Sequence, residues 1–195
     1  MLGKAKARGF LGPGPVSTHI EHSLAFTSML SAAPRRAVDL GSGGGVPGLV
    51  LAMVWRQSHW TLIDASTRRA AFLRDAVGGL ELSDRVEVLG QRAEDAGREA
   101  QRRGQADLVV ARSFGPPAVT AECAAPLLST DGYLVVAEPP GGAPDRWPVA
   151  PLALLGLIPD AKRTTPVALQ RLRQTHLCPA RYPRRAGIPA KRPLY

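Results

Sequence analysis

Between Ala37 and Gly48 the chain reads Ala-Val-Asp-Leu-Gly-Ser-Gly-Gly-Gly-Val-Pro-Gly, and an apolar stretch, Leu49 to Val54, follows at once. A short apolar run closes on an acidic residue, a glycine cluster turns the chain, and a helix opens with Pro47 in its first turn, where a missing N–H costs nothing. The succession is strand, tight loop, helix. Glycines let the backbone turn sharply and let a ligand come within contact distance, while a helix start exposes unpaired N–H groups. The loop is built to hold something.

Two ligand classes compete for it. Gly43-x-Gly45-x-x-Gly48 fits the dinucleotide fingerprint, with Asp64 near the distance of a ribose-binding acid, the signature of a nicotinamide-dependent oxidoreductase. The register Asp39-x-Gly41-x-Gly43-x-Gly45 instead sets a carboxylate at the strand end, which suits a ligand with a cationic amino-acid end, such as S-adenosylmethionine. In that register Asp64, after the strand Trp60 to Ile63, accepts both ribose hydroxyls. A third possibility is that the glycines only make a turn and Asp64 only caps the next helix.

Other strands and helices follow in alternation. Ser66 to about Val77 reads as a helix, Arg85 to Leu89 as a strand, Ala93 to about Arg103 as a polar helix, and Ala106 to Ala111 as a strand buried on both faces. Pro117 to Leu128 reads as a helix, and Asp131-Gly132 turns into a strand from Tyr133 to Ala137. The expected fold is therefore α/β, a doubly wound, mostly parallel sheet of Rossmann-like type. Thr18 and Glu21 have capping-box spacing for a helix through about Leu30, with His19 and His22 in its first turn, read as exposed or partly packed histidines. Glu138-Pro139-Pro140-Gly141-Gly142 closes the fifth strand, Pro144 to Leu157 suggests a broken helix, and Val167 to Cys178 an antiparallel edge strand. The expected division is a flexible basic arm over 1–16, a single domain over 17–178, and a basic, Pro-rich tail over 179–195.

Charge narrows the partners. Lys and Arg number 25 against 16 Asp and Glu, a net +9, which favours a polyanion. The clustering of Arg181, Arg184, Arg185, Lys191 and Arg192 near the C-terminus makes a nucleic acid the expected partner and these five the expected contacts. Cys123 and Cys178 are too few for a disulfide framework or a metal site, so no metal is expected. No apolar run is long enough to cross a membrane, and the N-terminus lacks a signal-peptide core. The expectation is a cytoplasmic monomer.

Residues just after each parallel strand share one cleft. Here they are Asp39 with the glycine loop, Asp64, Gly90 to Asp95, Arg112-Ser113-Phe114, and Glu138-Pro139. The loop from Asp39 to Gly48, Arg92-Ala93-Glu94, Ala111-Arg112-Ser113-Phe114 and the tail from Tyr182 to Leu194 together resemble the bacterial small-subunit (16S) ribosomal RNA guanine-N7 methyltransferases, once called glucose-inhibited division protein B. The resemblance runs with gaps from about His19 to the C-terminus. It implies a class I S-adenosylmethionine-dependent methyltransferase acting on ribosomal RNA in the small ribosomal subunit. It implies that Gly41 and Val46 line the cofactor site, that Ala93 and Glu94 sit against the adenine, and that Arg112 approaches the ligand or target base as the catalytic candidate. The residues themselves add Asp39, Gly43 and Asp64 to the cofactor set. The chain departs from the family in three places: a shorter N-terminal region, His22 where an Asp is usual, and Ala137-Glu138-Pro139 where Leu-Lys-Gly is common. An S-adenosylmethionine-binding protein with another substrate, or without catalysis, is the alternative these departures leave.

Overall fold

A computed structural model describes residues 1–140 and 145–195. The elements run α1 (Leu2–Ala7), α2 (Val16–Ala25), β1 (Arg36–Leu40), α3 (Gly48–Val54), β2 (His59–Ile63), α4 (Thr67–Gly79), β3 (Val86–Leu89), α5 (Ala93–Ala96), β4 (Ala106–Ala111), α6 (Pro117–Ala124), β5 (Leu128–Ala137), α7 (Val149–Ala153), β6 (Leu157–Arg163), β7 (Leu169–Gln174) and α8 (Ile188–Lys191). Seven strands form one sheet in the order β3-β2-β1-β4-β5-β7-β6. The first five are parallel, and β7 pairs antiparallel with both β5 and β6.

Alternation along the central strands divides the core into two layers. Val38, Leu40, Val109 and Ala111 pack with the buried face of α6, while Ala37, Leu108 and Val110 pack with α3 and α4. Because β1 leads to β2 on one side and β4 lies on the other, the chain reverses direction across the sheet between β1 and β4. Such a switch point opens a crevice at the strands' carboxyl ends.

The doubly wound expectation is met, and several local expectations are revised. Helix α2 starts at Val16 behind Pro15, whose ψ of 155° sets the extended entry, so Thr18 lies inside the first turn and caps nothing. The Asp131-Gly132 turn is a bulge within one long β5: Asp131 takes φ 65°, and the register against β4 jumps from Ala106↔Leu128 to Leu108↔Tyr133. Helix α5 is a single turn that ends at Gly97, which is pressed against Pro183. Strand β7 is internal; the sheet edge is β6, whose Pro159 sits at a register shift, as edge strands allow.

Neither end of the chain is loose. Leu2 and Ala5 of α1 are buried, and Phe10 meets the Phe72 ring edge-on at 5.5 Å, so residues 1–16 do not form the expected free arm. The C-terminal segment is tied in by Arg184, by Gly187 and by the buried Pro189. Pro144 and the glycines at 141 and 142, read above as loop and broken helix, fall outside the described residues.

Candidate active site

The glycine loop is pinned from both sides. The N–H groups of Gly41 and Ser42 donate to the Ile63 carbonyl at 2.8 and 3.0 Å, tying the end of β1 to the end of β2. Gly41 takes φ 69° and Gly45 φ 91°, conformations that L side chains resist. A Cβ on residue 41 would also come within 2.8 Å of the Phe114 ring. At the far end of the loop the Gly48 N–H donates to Asp39 Oδ2 at 3.0 Å, and a Cβ there would lie 2.5 Å from that oxygen.

This last contact discriminates between the two ligand registers. A dinucleotide needs the first amides of α3 for its pyrophosphate. Here a carboxylate already accepts from the first of them. The site is suited to a ligand without phosphates.

Beside the loop opens a cleft of about 640 Å³, floored by Gly41 to Gly44 and Val46 and walled by Arg112 to Gly115 after β4 and by Val136 to Pro140 after β5. Arg69, Arg112 and Arg146 bring three guanidinium groups to its lining, and His19 and His22 of α2 reach it from above the loop. Helix α2 thus roofs the switch point that the sheet creates.

Arg112 is half-buried, and burial lowers its pKa from the usual 12.5 while Asp39 acts through space to raise it. Its Nη2 lies 3.3 Å from His19 Nδ1, and His19 Nε2 lies 3.1 Å from the Gly12 carbonyl. His22 Nδ1 is buried without a partner; burial first, then Arg112, hold this imidazole below its ordinary 6.5. Asp39 is fully enclosed beneath the loop. Burial pushes its carboxyl up from 3.8 to about 7, against the opposing effects of Gly48, Ser42 and Arg112, and Oδ1 has no partner.

Of the sequence-derived cofactor residues, Gly41, Gly43, Val46 and Arg112 line the cleft. Asp39 lies under it. Asp64 does not line it: one carboxylate oxygen accepts from the Gly43 N–H and the other from the Ser66 N–H, both at 2.9 Å, so this acid shapes the loop and fixes the turn into α4, whose cap is Ser66. Ala93 and Glu94 are buried apart from the cleft, and Glu94 Oε1 accepts from the Gly187 N–H at 2.9 Å. The adenine-side expectation therefore meets the C-terminal segment instead.

The tail cations also divide. Arg184 donates from its backbone N–H, Nε and Nη2 to the fully buried Glu122 at 2.6–2.9 Å, and this corrects its reading as an RNA contact. Arg181, Arg185, Lys191 and Arg192 are exposed. Glu138, the anion that replaces a usual cation, does not face the cleft as a free charge. Its Oε1 accepts from Trp147 Nε1 at 3.1 Å, and its Oε2 lies 2.8 Å from Arg146 Nε in an ion pair without hydrogen-bond alignment. Arg146 and Trp147 escaped the sequence reading, as did the cleft position of His19. No local spacing marks any of them.

A protein-family model described as "GidB: rRNA small subunit methyltransferase G" matches residues 15–138. The chain belongs to that family. A Rubrobacter xylanophilus protein named ribosomal RNA small subunit methyltransferase G is 36% identical over 92% of this chain and 74% of its own length. Proteins of the same name from Prochlorococcus marinus and Roseiflexus castenholzii are 40% and 37% identical, over 83% and 92% of this chain and 68% and 79% of theirs. Among solved structures, the cofactor-bound Rv0187 from MTB superposes with a TM-score of 0.62 at 17% identity, covering 90% of this chain and 88% of that one. An O-methyltransferase family protein from Burkholderia thailandensis gives 0.59 at 17%, covering 83% and 58%. The fold is that of the class I methyltransferases.

The protein is an S-adenosylmethionine-dependent methyltransferase, and the nicotinamide reading falls away. The residues present fit this cofactor. Side-chain-free backbone at Gly41, Gly43 and Gly44 offers close approach, Arg112 offers a cation for an amino-acid carboxylate, and His22 Nδ1 is a buried polar atom without a partner at the cleft lining. Among the described residues, no group of three His, Cys, Asp or Glu is arranged to hold a metal ion, and no helix is long and apolar enough to cross a membrane.

Proposed function

We propose that this protein transfers the methyl group of S-adenosylmethionine to N7 of a guanine in small-subunit (16S) ribosomal RNA, in the cytoplasm and as a monomer. The observation that carries the reading is the cleft at the β1/β4 switch point, where a glycine floor meets Arg112, a guanidinium with no carboxylate in salt-bridge contact among the described residues. Family membership and the names of the relatives supply the RNA.

When bound, S-adenosylmethionine supplies an electrophilic methyl group on a positively charged sulfur. Guanine N7 has an in-plane lone pair and carries no proton that must leave, so the protein needs no general base. It must align the reacting atoms and keep water out. The loop from Gly41 to Gly44 positions from below, Phe114 packs over Gly41, and α2 covers the site. Arg112 would hold the cofactor carboxylate or the target base. Arg181, Arg185, Lys191 and Arg192 would hold phosphates.

A cofactor binder without this activity rests on Glu138 and the shorter N-terminal region. The pairing of Glu138 with Arg146 weakens that reading, because a guanidinium, not a bare carboxylate, lines the cleft. Purified protein, S-adenosylmethionine with a labelled methyl group and unmodified small ribosomal subunits test the proposal. Label at N7 of one guanine is expected; unlabelled RNA under conditions where calorimetry shows bound cofactor overturns it.

A further inference from the structure

We infer that His19 is a positioning residue for Arg112, and that it acts only as the neutral imidazole carrying its proton on Nε2. The assignment rests on the reading of Arg112 as the cation that meets cofactor or base.

A guanidinium has five N–H donors and no acceptor. The 3.3 Å contact from Arg112 Nη2 to His19 Nδ1 is therefore a hydrogen bond only when Nδ1 presents its lone pair. Independently, Nε2 of the same ring lies 3.1 Å from the Gly12 carbonyl oxygen, which can only accept. That contact requires a proton on Nε2. Two contacts from opposite sides thus demand one tautomer, and they exclude the imidazolium, which would turn a donor toward Arg112.

The link joins parts of the fold that the sheet alone does not connect. Arg112 leaves the end of β4 just before Ser113, which takes φ 57°, and its side chain crosses toward α2. His19 is 8% exposed, and the segment holding Gly12 passes over the glycine loop, where Phe10 and Leu11 would touch any Cβ on residue 44. Gly12, His19 and Arg112 form a strut from that segment, through α2, to the cleft wall. Among the described residues it is the one hydrogen bond made by the Arg112 side chain. With Nδ1 and Nε2 both engaged, His19 is not a general base, which agrees with a reaction that needs none.

Two conservative variants separate the halves of the strut. In His19→Asn the amide oxygen stands where Nδ1 stood, keeping the acceptor for Arg112 and losing the reach to Gly12. In His19→Gln the terminal amide reaches the position of Nε2, keeping the donor to Gly12 and losing the acceptor for Arg112. Calorimetry with S-adenosylmethionine should show His19→Asn within about threefold of wild type and His19→Gln weakened about tenfold, the usual loss for one hydrogen bond to a charged group. In an Arg112→Ala background His19→Gln should add no further loss. Nitrogen NMR of the apoprotein at neutral pH should show His19 protonated on Nε2 and bare on Nδ1.

A ring protonated on Nδ1 or on both nitrogens overturns the inference, as does a harmless His19→Gln beside a damaging Arg112→Ala. If Arg112→Ala changes neither cofactor affinity nor the KM for RNA, the reading of Arg112 fails, and the tautomer measurement still decides the strut. A His19→Asn that is as damaging as His19→Gln assigns the residue to holding Gly12 and overturns the positioning role.

Discussion

Asp39 is a carboxyl that the fold holds at a cost. An acid whose pKa rises on folding binds protons more tightly folded than unfolded, so its contribution favours the folded state below about pH 4 and is lost as pH climbs through about 7. The difference between 3.8 and about 7 corresponds to roughly 4 kcal/mol at pH 8. Asp39→Asn removes the ionisation while its amide oxygen can still accept from the Gly48 N–H. The new NH2 group, left where Oδ1 has no partner, returns about 1–3 kcal/mol of that gain. Urea unfolding should therefore show Asp39→Asn more stable than wild type by about 2 kcal/mol at pH 8, with a flatter pH dependence between 4 and 8. A variant less stable than wild type at pH 8 contradicts the assignment. The carboxyl lies beneath the loop, close enough to Arg112 for each to perturb the other's titration.

At the scale of elements, the C-terminal segment is where charge in the sequence and charge on the surface part company. Arg184 looks in sequence like its neighbours, yet it pairs with a carboxylate of α6 that has no access to water. Glu122→Ala should leave that partly solvent-accessible guanidinium without its main partner and lower stability by about 1–3 kcal/mol in denaturant titrations. Replacing Arg181, Arg185, Lys191 and Arg192 together by Gln should leave stability unchanged and reduce the slope of log affinity against log salt for RNA by about 3. Cutting the segment off would confuse the two effects, since Glu94 and Glu122 would both lose their partners. The same contrast explains what the sequence disclosed. Periodic patterns, and for β4 a continuous apolar run buried on both faces, disclosed β1 to β4, the second half of β5 and helices α3, α4 and α6, whereas the long helix read from Ala93 to Arg103 is only the single turn of α5. Strand β6 was illegible because Pro159, Asp160, Lys162 and Arg163 carry no such pattern on a sheet edge.

Over the whole molecule, the legible part of the site was the part made by one loop. Gly41, Gly43 and Val46 lie within a few residues of one another, and the strand-loop-helix succession places them before any tertiary contact is known. The contacts that sequence could not show span the chain: Arg112 to His19 at the cleft, and Glu94 to Gly187 away from it, each bridge 93 positions, and Glu122 to Arg184 bridges 62. Nothing periodic ties such partners together, so Asp64 and Glu94 could be read as cofactor ligands although both accept backbone N–H groups. If the cleft is where S-adenosylmethionine binds, ligand binding and folding are linked. At a hundredfold excess over Kd the folded state gains about 2.7 kcal/mol, which for a chain of this size raises Tm by roughly 5–10 °C. NAD at the same concentration should leave Tm unchanged, because Asp39 already accepts from the first amide of α3. Arg112→Ala should cut the rise with S-adenosylmethionine, whereas the four-residue tail variant should retain it. A rise with NAD, or an equal loss of the rise in both variants, would show that the ligand lies outside the glycine-floored cleft.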